Sequence, residues 1–154
     1  MIEERSAGAV VFYDGKNGFE YLLLNYTAGH WDFPKGNIEK NEKDIMTARR
    51  EIREETGIED ITFIPGFKKK IEYYYKKDGE LVHKVVIFYL VQAYCKNVKL
   101  SYEHLNYSWL NYDDALKRAT FENTKRILRE AHEFLKRSKG EKSLDKFLQQ
   151  SFED

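Results

Sequence analysis

From Gly36 to Ile58 the chain reads GNIEKNEKDIMTARREIREETGI, and this stretch constrains the fold more than any other. Its spacing predicts one helix over Asn41 to Thr56. Asn41 offers a capping side chain, Glu42 and Asp44 suit the positive end of the helix dipole, and Gly57 supplies the stop. At about 100° per residue, Ile45, Ala48 and Ile52 point one way, while Glu51, Glu54 and Glu55 gather on a neighbouring sector. The first set is a face to bury. The second repels itself, at about a few tenths of a kcal/mol per pair, so something should compensate. Hard divalent cations take oxygen ligands, and magnesium bridges protein carboxylates to substrate phosphates. Salt bridges to Arg49, Arg50 and Arg53 are the ordinary alternative for a charge-rich helix.

The rest of the composition narrows the setting. A length of 154 residues suits one domain, which buries roughly 68 to 70% of its unfolded surface around a single core. Basic and acidic residues balance at 26 each, so no global positive field argues for duplex nucleic acid or a membrane surface as partner. A single cysteine, Cys95, excludes an internal disulfide and fits a reducing compartment. With no amino-terminal apolar run of signal length and no membrane-spanning stretch, the expected location is cytoplasmic.

Strand signals flank the helix. Arg5 to Tyr13 and Glu20 to Tyr26 form a hairpin around the Asp14-Gly15 and Asn17-Gly18 turns, and the apolar run Leu22 to Leu24 predicts burial on both sheet faces. Thr27 to Gly36, TAGHWDFPKG, reads as the loop that delivers the chain to the helix. Beyond it, Ile61 to Phe67 and Lys68 to Lys76 are strand material with a bulge at Gly66. Lys77-Asp78-Gly79 then turns the chain into a strand over Leu81 to Tyr94. Alternation puts Tyr73 and Tyr75 on one face and Glu72 and Tyr74 on the other. A further strand lies in YEHLNYSWL, a short helix over Asp113 to Ala119, and a longer one capped by Thr120 through Lys136, with Ile127, Leu128, Ala131, Phe134 and Leu135 as its stripe. The domain reading is residues 1–139 as one unit and 140–154 as an amphipathic helical tail carrying Leu144, Phe147, Leu148 and Phe152.

One pattern runs through the first stretch: Gly36, five residues, Glu42, seven residues, Arg50-Glu51-Ile52, one residue, Glu54-Glu55, one residue, Gly57-Ile58. Every fixed position is filled, and the pattern resembles the signature of the Nudix hydrolases. Three further segments, HWDFPKG, GFKKKIEY and SYEHLNYSWL, resemble the diadenosine tetraphosphate hydrolases of the asymmetric type within that family. The resemblance implies an α+β fold bordering on an α/β/α sandwich, with a mixed sheet between the catalytic and carboxyl-terminal helices.

It also implies roles. Glu51, Glu54 and Glu55, with Glu103 from a loop across the site, would hold magnesium, or manganese in its place. Glu51 is the leading proton acceptor, with exchange between base and ligand left open, and Arg50 orients a carboxylate. Gly36 fits the backbone before the helix, and Glu42 is a metal-site or capping candidate. His30, Lys35 and Lys84 would face the phosphates, although a solvated lysine and a structural histidine are the plain readings of those residues. For the base, Tyr73 is favoured over Tyr75, with cross-strand packing as the alternative for both, and Phe121 would stand beside the adenine. The expected reaction is attack of water on phosphorus, cutting diadenosine tetraphosphate to ATP and AMP in a monomer or weak oligomer. RNA 5′-end hydrolysis, nucleoside triphosphate hydrolysis and a catalytically silent nucleotide-binding module are the alternatives.

Overall fold

The computed structural model describes residues 1–153, and the side chains among them other than those at 143, 145, 146 and 150–153. Among these residues, seven strands make one sheet. In chain order they are β1 (Ile2–Gly15), β2 (Gly18–Tyr26), β3 (Trp31–Asp32), β4 (Lys35–Asn37), β5 (Ile61–Lys77), β6 (Glu80–Ala93) and β7 (His104–Asn111). Helix α1 (Asp44–Thr56) follows β4, and α2 (Tyr112–Arg118) and α3 (Glu122–Glu153) close the chain. The sheet runs β3-β2-β1-β6-β5, with β4 paired to β1 and β7 to β2. β1 and β6 are parallel and the other pairs antiparallel, so the sheet is mixed as expected.

Both sheet faces are covered. Leu22 and Leu24 pack with Ala9, Val11, Ile52 and Ile58 on the α1 side, whereas Leu23 joins Val10, Phe12, Phe88, Ile127, Leu128 and Ala131 under α3. An uninterrupted Leu-Leu-Leu run serves a strand buried on both faces, because successive side chains alternate between them. Gly66 sits at φ 91 inside the irregularity where β5 slips against β6 between Phe63 and Lys68, the bulge its position predicted. Asp78 and Gly79 take the left-handed backbone that closes the β5-β6 turn.

Two helix starts differ from the sequence expectation. Asn41 does not cap α1: it lies in a turn at φ 67, and the helix begins at Asp44 behind Lys43, which makes no side-chain cap. The cause is Glu42, whose carboxylate accepts from the Glu39 amide, from Thr47 Oγ1 and from Arg50, and so holds the preceding segment off the helix axis. Likewise Thr120 does not cap the last helix. Its hydroxyl accepts from the Trp31 amide at 2.8 Å, and α3 opens at Glu122. α3 then continues through Gly140, and Phe152, named in the tail stripe, has a side chain outside the described set.

The buried stripe of α1 is also rotated from the one expected. Ala48, Ile52 and Glu55 are buried along with Thr47 and Thr56, while Ile45 is 39% exposed. Positions i, i+4 and i+7 form one face of a helix, so Glu55 shares its face with Ala48 and Ile52. That places a carboxyl group against the sheet. At the far end Gly57, at φ 76, donates its amide to the Arg53 carbonyl and ends the helix as anticipated.

Candidate active site

The site forms where β4 and α1 lean against β1. A side chain at Gly8 would meet the Pro34 carbonyl oxygen at 2.2 Å, so this glycine within β1 permits the close approach of the Pro34-Lys35 backbone. The antiparallel pairing Gly8↔Lys35, Ala7↔Gly36 and Ser6↔Asn37 then fixes β4 beside the acidic face of α1. The Lys35 amide donates to Glu55 Oε2 at 3.3 Å, tying the two elements together.

A cavity of about 650 Å³ opens there, and its wall contains Lys35, Gly36, Arg50, Glu51, Glu54, Glu55, Lys84 and Glu103. Four carboxylates expected from two distant segments thus line one space. Glu55 is desolvated by burial and repelled by Glu51, and its pKa is pushed up to about 10. Burial likewise raises the pKa of Glu51. Arg50 gathers the others. Its guanidinium donates to both Glu42 oxygens at 2.8 and 3.0 Å, to Glu51 Oε1 at 2.8 Å, to Glu54 Oε2 at 3.1 Å and to the Asn37 carbonyl at 3.0 Å. Among the described residues no three acidic, His or Cys side chains converge as a ready ion cage, and Arg50 already engages oxygens of Glu51 and Glu54.

Glu42 is placed differently from its sequence assignment. Its carboxylate is absent from the cavity wall and belongs to Arg50 and Thr47; the Arg50 hydrogen bonds bring its pKa down to about 2. Its part is to fix the arginine that fixes Glu51 and Glu54.

A second cavity, about 250 Å³, adjoins the first through Lys35 and is lined by Asp32, Ile71, Tyr73, Phe121, Asn123 and Thr124. Tyr73 and Phe121, far apart in the chain, therefore line one space. Tyr75 does not line this space; its ring tilts against Tyr73 at 6.2 Å and its hydroxyl donates to the Glu4 carboxylate. Lys35 Nζ pairs with the buried Asp32 at 3.0 Å, and Asp32 also accepts from Thr124 Oγ1 at 3.1 Å and the Phe33 amide at 2.8 Å. Lys84 Nζ donates to Ser6 Oγ at 2.7 Å and Asn37 Oδ1 at 3.2 Å, and burial lowers its pKa.

His30 is brought into neither wall. Its ring stacks on Tyr26 with centroids 4.7 Å apart and tilts against Phe121 at 5.2 Å, and burial lowers its pKa. Aromatic packing holds it between Tyr26 and Phe121.

Four residues of the site were missed from sequence. Tyr26, whose hydroxyl donates to the Phe33 carbonyl at 2.7 Å, supports His30 on one side and His104 on another. His104 is buried, with Nδ1 3.0 Å from Ser101 Oγ; its Nε2 has no hydrogen-bond partner among the described residues and lies 3.9 Å from Glu55 Oε2. Ser6 and Asn37 hold Lys84. Neighbouring Glu103 was the only local signal for His104, and Ser6 and Asn37 become visible only through the β1-β4 register.

The fold is thus a mixed sheet between two helical layers, with an acidic helix face opposite lysines and beside an aromatic cavity. The chain belongs to the NUDIX family: the NUDIX domain model matches residues 3–131. It is 38% identical over 143 residues to the bis(5′-nucleosyl)-tetraphosphatase [asymmetrical] of Sus scrofa, covering 85% of this chain and 95% of that one. The Mus musculus protein of the same name is 41% identical over 122 residues, covering 75% and 80%. Among solved structures, a C. elegans Ap4A hydrolase binary complex superposes with a TM-score of 0.77 at 30% identity, over 86% of this chain and 97% of that one.

Proposed function

We propose that this chain is an asymmetric dinucleoside tetraphosphate hydrolase that cuts diadenosine tetraphosphate to ATP and AMP by attack of water on phosphorus. The observation that carries the reading is the junction at Lys35, where a carboxylate-lined cavity meets an aromatic one small enough for a single nucleoside. The relatives named above support it.

The residues fit a hard divalent cation. Glu51, Glu54, Glu55 and Glu103 offer only oxygen donors, and a dication would compensate the negative charge these carboxylates bring together on one cavity wall. These four would hold magnesium, with manganese a substitute. When bound, such an ion neutralises phosphate charge and lowers the pKa of a coordinated water.

The chain's own residues supply the rest. Tyr73 and Phe121 grip one adenine by their ring faces. Lys35 and Lys84 hold the phosphates as point charges, with Ser6 and Asn37 aiming Lys84. Arg50 orients Glu51 and Glu54. Glu51 accepts the proton of the attacking water. His30 backs Phe121 from behind. No helix among the described residues is long and apolar enough to cross a membrane, and exposed Cys95 suits a reducing cytoplasm. The enzyme works as a monomer or weak oligomer.

Hydrolysis in ¹⁸O-labelled water with magnesium tests the reading. The expected products are ATP and AMP with label in one of them. Two molecules of ADP would overturn the register, and turnover of a 5′-triphosphorylated RNA in place of the dinucleotide would overturn the substrate.

A further inference from the structure

The substrate proposed above has two nucleosides, and only one has been placed. The cavity holding Tyr73 and Phe121 measures about 250 Å³, below the roughly 300 to 1,000 Å³ that drug-sized ligands fill. A second base must lie elsewhere, on the larger cavity that takes the phosphates.

That cavity's wall includes one strongly exposed aromatic, Tyr102, which is 91% exposed. A lone exposed tyrosine is ordinarily unremarked surface, but this one is displayed on a braced turn. The Ser101 amide donates to the Glu55 carbonyl at 3.4 Å, and the Thr27 amide donates to the Glu103 carbonyl at 3.2 Å. Across the turn, the His104 amide donates to the Ser101 carbonyl at 3.2 Å, and Ser101 Oγ meets His104 Nδ1 at 3.0 Å. Both flanks of Tyr102 are therefore fastened, one to α1 and one to the end of β2, while the ring itself stands in solvent. Folding leaves the ring out of the core yet fixes the backbone that carries it, which reduces the ordering cost of a stacking partner.

We propose that Tyr102 is the stacking platform for the second, distal base of a dinucleoside polyphosphate, so that the substrate lies with one adenine against Tyr73 and Phe121 and the other against Tyr102. Lys35, shared by both cavity walls, marks the passage between the two stations. The inference rests on the dinucleotide reading and adds a subsite to it. A platform that recognises a π-face and not a hydrogen-bonding edge accepts any base, so the distal position tolerates adenine and guanine alike while still requiring a ring.

The experiment compares diadenosine tetraphosphate with adenosine 5′-tetraphosphate, which carries one nucleoside on the same phosphates. KM for the dinucleotide and Ki for the mononucleotide are measured on the wild type, Tyr102→Ala and Tyr102→Phe. The expected result is a rise in KM on the order of tenfold for Tyr102→Ala, the scale of one lost stack. Ki for adenosine tetraphosphate should stay within about twofold, and Tyr102→Phe should restore the dinucleotide KM. A merely structural role would move both constants together, and that result, or no change in either, overturns the subsite while leaving the hydrolase reading intact. Absence of dinucleotide turnover by the wild type overturns the hydrolase reading and the subsite with it.

Discussion

A Cβ built on Gly36 falls 2.1 Å from the carboxyl carbon of Glu51, so the Glu51 carboxylate lies where any other residue at 36 would place its side chain. The clash is with the far end of a flexible side chain and not with backbone. Gly36→Ala should therefore leave the fold alone and displace Glu51. The expected outcome is a fall in kcat of ~10² to 10⁴-fold, the scale of losing a positioned proton acceptor, with an unchanged thermal midpoint. A mutant of near-normal kcat would remove Glu51 from the reaction.

Arg50 and Glu42 give a stability prediction with a pH sign. Their side chains are only 16% and 14% exposed, and the pair is bidentate. Glu42→Gln should cost about 1.5 to 3 kcal/mol at pH 7, the range for hydrogen bonds to charged groups. The folded pKa of Glu42 is depressed from 4.5 to about 2, so its stabilisation is complete above 4.5 and fades as pH falls through 2. Urea unfolding of wild type and mutant should differ most at neutral pH and converge as pH approaches 2. A gap that persists undiminished in acid would show that the pair does not work through the Glu42 charge.

These two relationships mark what the sequence could and could not disclose. Period-two alternation in KKKIEYYY separated Tyr73 and Tyr75 from Glu72 and Tyr74, and the fold agrees: Tyr74 stacks on His83 at 4.8 Å, and His83 is held by Glu72 at 2.9 Å. Period 3.6 grouped the glutamates but not their burial, because Ile45 proved half-exposed and Glu55 took a place on its buried stripe. Only tertiary contact decides which sector of a charged helix faces the sheet. The Ser6-Asn37-Lys84 cluster and the approach of His104 to Glu55 depend on partners 31 to 78 positions apart, or on opposite sides of the site. Local pattern carries no record of them.

Tyr73 and Tyr75 are neighbours on one strand face, yet only the first lines the aromatic cavity. Tyr73→Ala should weaken dinucleotide binding by about 1 to 3 kcal/mol. Tyr75→Ala should weaken it less, since its hydroxyl is engaged by Glu4 on β1. Binding isotherms for the two mutants decide the matter: the reverse order would transfer the base to Tyr75, and no loss from either would return both to sheet packing.

Lys84 supplies the last test. Its ammonium lies in the cavity wall on two neutral oxygens, Ser6 Oγ and Asn37 Oδ1, and among the described residues it forms no ion pair within 4 Å. Burial lowers its pKa, and the more distant Glu4 only partly offsets that. A half-desolvated cation that lacks a close carboxylate gains most from a ligand that brings its own negative charge, whereas Lys35 already answers to Asp32 at 3.0 Å. Lys84→Met preserves the aliphatic stem and removes the charge, so folding should be unharmed or slightly improved. KM for the polyphosphate should rise by roughly tenfold to a hundredfold, the scale of a charged hydrogen bond, and the salt dependence of KM should flatten in the mutant because one screened attraction is gone. A KM that stays at the wild-type value, with the same salt dependence, would assign Lys84 to holding β4 through Asn37 and not to the phosphates.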